Sequence, residues 1–236
     1  MATENKILSS TTSINFIPKI EKKDLLILDS IRFAVAMIDY SYEQLFYQLL
    51  KLSIGTKTKN LPSLFMHGWS IIDCSRRLIK LYSSLSNDNS IIKTINYVNQ
   101  PRNTYQHLDE RIFESLLKNN LPFYGLLNWS YNEKELQQNI NCVAISGIYH
   151  IEKFQFQKNK YESSEILTSL YLETTDKKER IKIDLLKLKS DLKNIISRLE
   201  NSLNKQFSEN NLTPVDWKKR RDVIFTFRNK TNSLLP

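Results

Sequence analysis

"LNWSY", residues 127–131, is where this chain changes character. Leu127, Trp129 and Tyr131 alternate with Asn128 and Ser130, the two-residue period of a β-strand. Upstream the period is helical. From Glu21 to Leu52 the apolar residues Ile31, Val35, Ile38, Tyr42, Leu45 and Leu49 step by three and four, with no internal Pro or Gly, which predicts a long amphipathic helix. "SIGTKTKNLPS" is a loop, and a second helix is expected from Pro62 to Leu85 with Phe65, Trp69, Ile72, Ile79 and Tyr82 on one side. After the turn "SNDNS" a third helical stretch begins near Ser90, meets Pro101 and continues to about Lys118. Three helices with short polar connections predict an antiparallel bundle.

Downstream, "CVAISGIYHIEKFQFQ" keeps the strand style, with Gly147 at a bulge or kink. "SEILTSLYLETT" and "RIKIDL" flank the turn "DKKE" as a hairpin. A basic amphipathic helix is expected from Lys187 to Phe207. Thr213-Pro214-Val215-Asp216 carries an N-cap, a first-turn proline and an acid three residues on, the signature of a final helix. The expected class is α+β: an N-terminal antiparallel helical bundle, then an antiparallel β meander with C-terminal helices. Residues 1–19 read as a polar tail, 20–120 as the bundle, and 121–236 as the meander and its helices, packed on the bundle as one unit.

Composition narrows the function classes. Of 236 residues, 41% are hydrophobic and 25% charged, an ordinary globular balance. No run approaches the ~18 apolar residues of a membrane span, and "MATENKILSSTTSINF" lacks a secretory pattern. Cys74 and Cys142 have no metal-ligand spacing, so a reducing cytoplasm is the expected compartment. His67, His107 and His150 are scattered with no pair at ligand spacing, and no metal or other cofactor is expected. The net charge is +9. "WKKRRDVIFTFRNK", residues 217–230, sets six bases against the single acid Asp222. Its aromatics Trp217, Phe225 and Phe227 and the run Lys218, Lys219, Arg220 and Arg221 suit RNA through phosphate contact and stacking; at helical spacing Val223, Phe227 and Ile224 also suit a docking face with the bases solvated.

The densest chemistry lies in "NQPRNTYQHLDERI", residues 99–112. With Asn99 or Gln100 as a cap, Pro101 would start a helix whose first turn carries Arg102 and Asn103, and free N–H groups there suit a phosphate. Asn103 and His107, four apart, share a face. On a straight helix Arg102 points about 140° away from His107, so a bend, a long reach or a second chain is needed to bring them together. The plain alternative is an Arg102–Asp109 ion pair and a solvated histidine. On the second helix Asp73 can pair with Arg76 or Arg77, or either arginine can serve as an extra phosphate contact.

Two expected helices followed by Arg102-Asn103-x-x-x-His107 resemble the HEPN superfamily, whose nuclease members carry Arg, four to six residues, then His, often with a polar residue after the Arg. "HGWSIIDCSRRL", then "RNTYQHLDERI", then strands with an aromatic "LNWSY" also look like an uncharacterised bacterial group. The likeness rests on a stretch of about ten residues and extends over 20–120; the β meander is foreign to the HEPN core. The resemblance implies a metal-independent endoribonuclease on single-stranded RNA. His107 would be general acid/base, Arg102 the transition-state cation and Asn103 a positioning donor, in a site shared between two protomers of a homodimer. It also implies a toxin or phage-defence role with an antitoxin partner. The alternative from another class is a non-catalytic helical dimerisation or interaction protein in which Arg102 and His107 are structural.

Overall fold

A computed structural model describes residues 6–8, 13–53, 60–85, 89–110, 122–133, 138–147, 167–176, 179–217, 222–224 and 226. Helix α1 spans Lys22–Ser53 and α2 Leu61–Leu85. Every apolar position that defined the period in α1, from Ile31 to Leu49, is buried, as are Phe65, Trp69, Ile72, Ile79 and Tyr82 of α2. The two helices pair along their length; Ser41 meets Ser70, and Gln48 donates to Ser63.

The third segment is not one long helix. It breaks into α3 (Asn89–Thr94), a 3-10 turn at Asn96–Val98 and α4 (Asn99–Gln106), followed by turns over 107–110. Ile95 and Val98 are buried, but from Asn99 to Thr104 the chain offers no apolar residue except Pro101, so no continuous stripe runs on to sustain a long helix in water. Residues 111–118 of the expected helix lie outside the described residues.

Strands β1 (Leu126–Glu133), β2 (Gln138–Ile145), β3 (Leu167–Asp176) and β4 (Glu179–Asp184) form one antiparallel sheet, so the chain is α+β. Its order, β2-β1-β3-β4, departs from the expected meander: β3 returns beside β1 rather than β2. Trp129 lies opposite Cys142 on one side and Leu170 on the other. The β3–β4 hairpin closes at the Asp176–Glu179 pair, where "DKKE" placed it. β4 runs directly into α5 (Leu185–Glu209), because Asp184 is both the last strand residue and the N-cap that accepts from the Lys187 N–H.

One apolar cluster joins the described helices to the sheet, from Ile7 and Ile14 through Leu127, Leu170 and Leu172 to Leu203. α2 meets the sheet at Gly68, where a side chain would press on Leu172 and Leu127. Polar ties set the angles between layers: the Trp129 indole donates to Ser53, the Trp69 indole to the Tyr124 carbonyl, and the Tyr42 hydroxyl to the Leu185 carbonyl. The other face of the sheet is largely polar, with the buried Ser130 donating to the exposed Asn141 and the exposed Arg180 paired to the buried Glu173.

The expected final helix is absent over Leu212–Trp217, which have no regular structure. Long-range contacts override the local capping signal: the Val215 N–H reaches the Phe16 carbonyl and the Trp217 indole the Ile17 carbonyl. Asp222, at φ 53°, then grips the buried Arg32 guanidinium through both oxygens at 3.1 Å, while Asp29 takes the Arg32 Nε at 2.8 Å. Burial alone would depress Arg32; Asp222 and Asp29 reverse this and raise it. Among the described residues no helix is long and apolar enough to cross a membrane.

Two predictions follow from this packing. Gly125 has φ +84°, and a Cβ there would collide with the Glu173 carbonyl. Gly125→Ala is expected to cost about 2–4 kcal/mol, visible as a lower midpoint in urea unfolding. His67, buried edge-on against Tyr40, has its imidazole held below its ordinary range by burial. The unfolded chain therefore binds this proton more readily, so stability falls as pH drops below about 6.5. In His67→Gln that part of the decline between about pH 7 and pH 5 should vanish from thermal melts.

Candidate functional site

Pro101 and Thr104 face the core and Tyr105 stacks on the buried Trp69, ring centroids 4.6 Å apart and 12° from parallel. That stack fixes α4 against α2, and Arg102 reaches the part of α2 that carries Asp73. There Asp73 bridges two cations. Its Oδ2 accepts from the Arg77 Nε at 2.8 Å and its Oδ1 from the Arg102 Nε at 3.3 Å. Arg76 stands alongside, its guanidinium depressed by burial and by the charge of Arg102. Among the described residues no carboxylate pairs with Arg76. Three guanidiniums against one carboxylate leave two positive charges in excess.

Asp73 therefore selects Arg77 of its two helical neighbours, and Arg102 pairs with Asp73 rather than with Asp109 as the plain reading had it. Arg102 is four-fifths buried, and neutralising it fully at Asp73 is prevented by the sharing with Arg77.

His107 comes next in the chain but not in the helix. α4 stops at Gln106, and His107 is its C-cap at φ −120°, ψ 28°, donating its backbone N–H to the Thr104 carbonyl. Its half-exposed ring bonds Glu110 through Nδ1 at 3.2 Å. Nε2 has no partner among the described residues. Asn103 is exposed on α4. Because the helix ends before His107, the expected Asn103–His107 shared face is not completed. Within one chain Arg102 is directed to α2 and His107 to the following turn; no hydrogen bond joins them.

The expected phosphate pocket at the α4 N-terminus is not formed. The N-cap is Val98, which has no capping side chain, the Asn99 N–H donates to the Asn96 carbonyl of the preceding 3-10 turn, and Pro101 has no N–H. Lys218, Lys219, Arg220 and Arg221 lie outside the described residues, as does His150. Among the described residues no group of His, Cys, Asp or Glu side chains gathers as a metal site. Two site contacts escaped sequence reasoning. Glu110 is three residues from His107, a spacing that signals a helical or turn pair; the Asp73–Arg102 bond joins residues 29 apart and has no local signal. No family model, curated protein or solved structure matches this chain.

Asp73→Asn is expected to release Arg77 and Arg102 from their shared anion. Binding to the polyanion heparin should strengthen several-fold with a steeper salt dependence, while the fold loses about 0.5–1.5 kcal/mol. Heparin titration at several salt concentrations, beside a thermal melt, checks both.

Proposed function

We propose that this protein is a metal-independent endoribonuclease of the HEPN type, cutting single-stranded RNA by attack of the substrate's own 2′-OH. One observation carries the reading. Arg102 and Arg77 share the carboxylate Asp73 with Arg76 alongside, and Arg102 rides on the short helix that ends at an exposed imidazole backed by Glu110. A site with excess guanidinium charge suits a phosphodiester. Glu110 on Nδ1 leaves Nε2 to take the 2′-OH proton. The 2′-oxygen then bonds to phosphorus, the bond to the 5′-oxygen breaks, and the imidazolium returns its proton to that leaving oxygen. The products are a 2′,3′-cyclic phosphate and a 5′-OH end. Arg102 balances the charge that builds on the phosphoryl oxygens, and Asn103 donates to one of them. Arg76, Arg77 and the run Lys218–Arg221 hold flanking phosphates.

In this proposal the protein works as a homodimer, since Arg102 and His107 of one chain diverge; the partner's His107 completes the site at Arg102. A toxin or phage-defence role with an antitoxin partner belongs to the same proposal and rests on resemblance alone. A second reading has its own support. The Arg102–Asp73 bond is also what a structural clamp between α2 and α4 looks like, in a non-catalytic interaction protein with His107 as a turn residue.

Labelled single-stranded RNA separates the two. The expected result is cleavage that persists in EDTA, fails on an all-deoxy strand, and falls at least about 100-fold in Arg102→Ala and in His107→Ala. Circular dichroism confirms that both variants fold. Equal cleavage by wild type and both variants, or none by wild type, overturns the ribonuclease reading.

A further inference from the structure

The corner of a β-turn is ordinarily given to Asn, Asp, Gly or Ser. The turn that leads into β1 has two aromatics there instead. In Pro122-Phe123-Tyr124-Gly125 the Gly125 N–H closes on the Pro122 carbonyl at 2.8 Å, and Phe123 and Tyr124 are the corner residues. Pro122 and Gly125 are buried, Phe123 is partly buried, and Tyr124 is 46% exposed. The backbone beneath the exposed ring is held on both sides. The Tyr124 N–H donates to the Ser146 hydroxyl at 3.2 Å, and that hydroxyl donates to the Gly125 carbonyl at 3.1 Å. The Tyr124 carbonyl accepts from the Trp69 indole at 3.0 Å. Phe123 packs perpendicular to Tyr124, ring centroids 4.9 Å apart, and sets its tilt. The turn thus presents an aromatic surface to solvent on a fixed mount, and pre-organisation of this kind lowers the entropy cost of binding.

That mount adjoins the guanidinium cluster. Trp69, which holds the Tyr124 carbonyl, also stacks on Tyr105. Asp73 follows Trp69 by one turn of α2, about 6 Å along the axis, and Arg102 precedes Tyr105 by nearly one turn of α4. The Tyr105 phenol is raised by burial and further by the Tyr124 phenol and the Asp73 carboxylate, which makes these three groups near neighbours. Arg102, Arg76 and Arg77 carry two positive charges more than Asp73 neutralises. A ligand that meets both features has a planar apolar part for Tyr124 and an anionic part for the arginines. A nucleotide joins the two.

We propose that Tyr124 is a base-stacking platform for single-stranded RNA, taking the base next to a phosphate held by Arg102, Arg76 and Arg77. This subsite rests on the ribonuclease reading for its substrate and adds the reason that the strand must be single. In a duplex each base is paired and stacked inside the helix and has no face to offer, whereas an unpaired base can turn out onto an aromatic side chain. Stacking tolerates every base, since each has a π-face, so Tyr124 selects strandedness rather than sequence. Its part is binding: a base seated on a fixed ring limits where the neighbouring phosphate falls against the guanidiniums.

The probe is a fluorescein-labelled 2′-O-methyl oligouridylate of about ten nucleotides, uncleavable because its 2′-oxygens are blocked, titrated with the full chain and followed by anisotropy. Tyr124→Leu is expected to weaken binding at least about five-fold, with the salt dependence of wild type because the phosphate contacts are untouched. Tyr124→Trp should restore the affinity, which a merely structural loss would not allow. A strand of abasic sugars and a duplex of the same length should bind wild type and Tyr124→Leu alike. Thermal melts establish that both variants fold. No binding of the single strand by wild type, equal binding by Tyr124→Leu, an equal loss on the duplex or the abasic strand, or no rescue by Tyr124→Trp overturns the inference. Cleavage of labelled RNA is read separately. A wild type that binds through Tyr124 yet cuts nothing sinks the ribonuclease reading and leaves a single-strand-binding surface; cleavage that needs His107 but keeps its KM in Tyr124→Leu sinks the platform alone.

Discussion

The burial of α2 on several sides is the constraint from which the rest of the molecule follows. α1 covers one flank, the sheet presses on Gly68, and α4 closes a third side through the Trp69–Tyr105 stack. Among the described residues, Asp73, Arg76 and Arg77 lie where α2 stays at least partly open to solvent. Long cationic side chains suit such a place because their stems can lie on apolar neighbours while the guanidinium reaches water. When α4 docks, it delivers Arg102 to a strip that already holds two arginines and one acid. The positive excess is thus a product of packing: the helix that must be buried has nowhere else to put its charges.

Much of the architecture was legible because burial imposes a period. α1, α2 and α5 fall within two residues of their expected ends, for each has an unbroken apolar stripe and nothing inside it to stop it. Strand existence and the β3–β4 hairpin were also legible, from alternation and a short turn. Strand order was not. Which edge of β1 receives β3 depends on contacts between residues some forty apart (Leu127 with Leu172), and alternation is indifferent to neighbour choice. The start of the final helix, over Leu212–Trp217, failed for a related reason. Its local signals were sound, but Trp217 donates its indole N–H to the distant Ile17 carbonyl and the stretch before it has no regular structure.

The site was legible as residues and illegible as geometry. Arg102, Asn103 and His107 stood out by type and spacing, yet the straight helix assumed for them ends before His107, and the carboxylate that orients Arg102 comes from another element. The outward side of α1 shows a different limit. Its residues are plain in the sequence, but an apolar residue on the wrong side of an amphipathic helix cannot be told from one facing core until the core is known. Exposure, which is a property of the fold, places Phe33 and Tyr40 on the outside of α1.

The clasp between Arg32 and Asp222 bears on how the chain is made. A ribosome releases the arginine 190 residues ahead of the aspartate. Throughout that interval α1 can fold onto α2, but its guanidinium has only Asp29 for company. Closing the far corner of the molecule therefore waits for nearly the whole polypeptide. Nascent chains stalled short of Asp222 would leave the Arg32 corner unlatched, a natural entry point for chaperones and proteases alike.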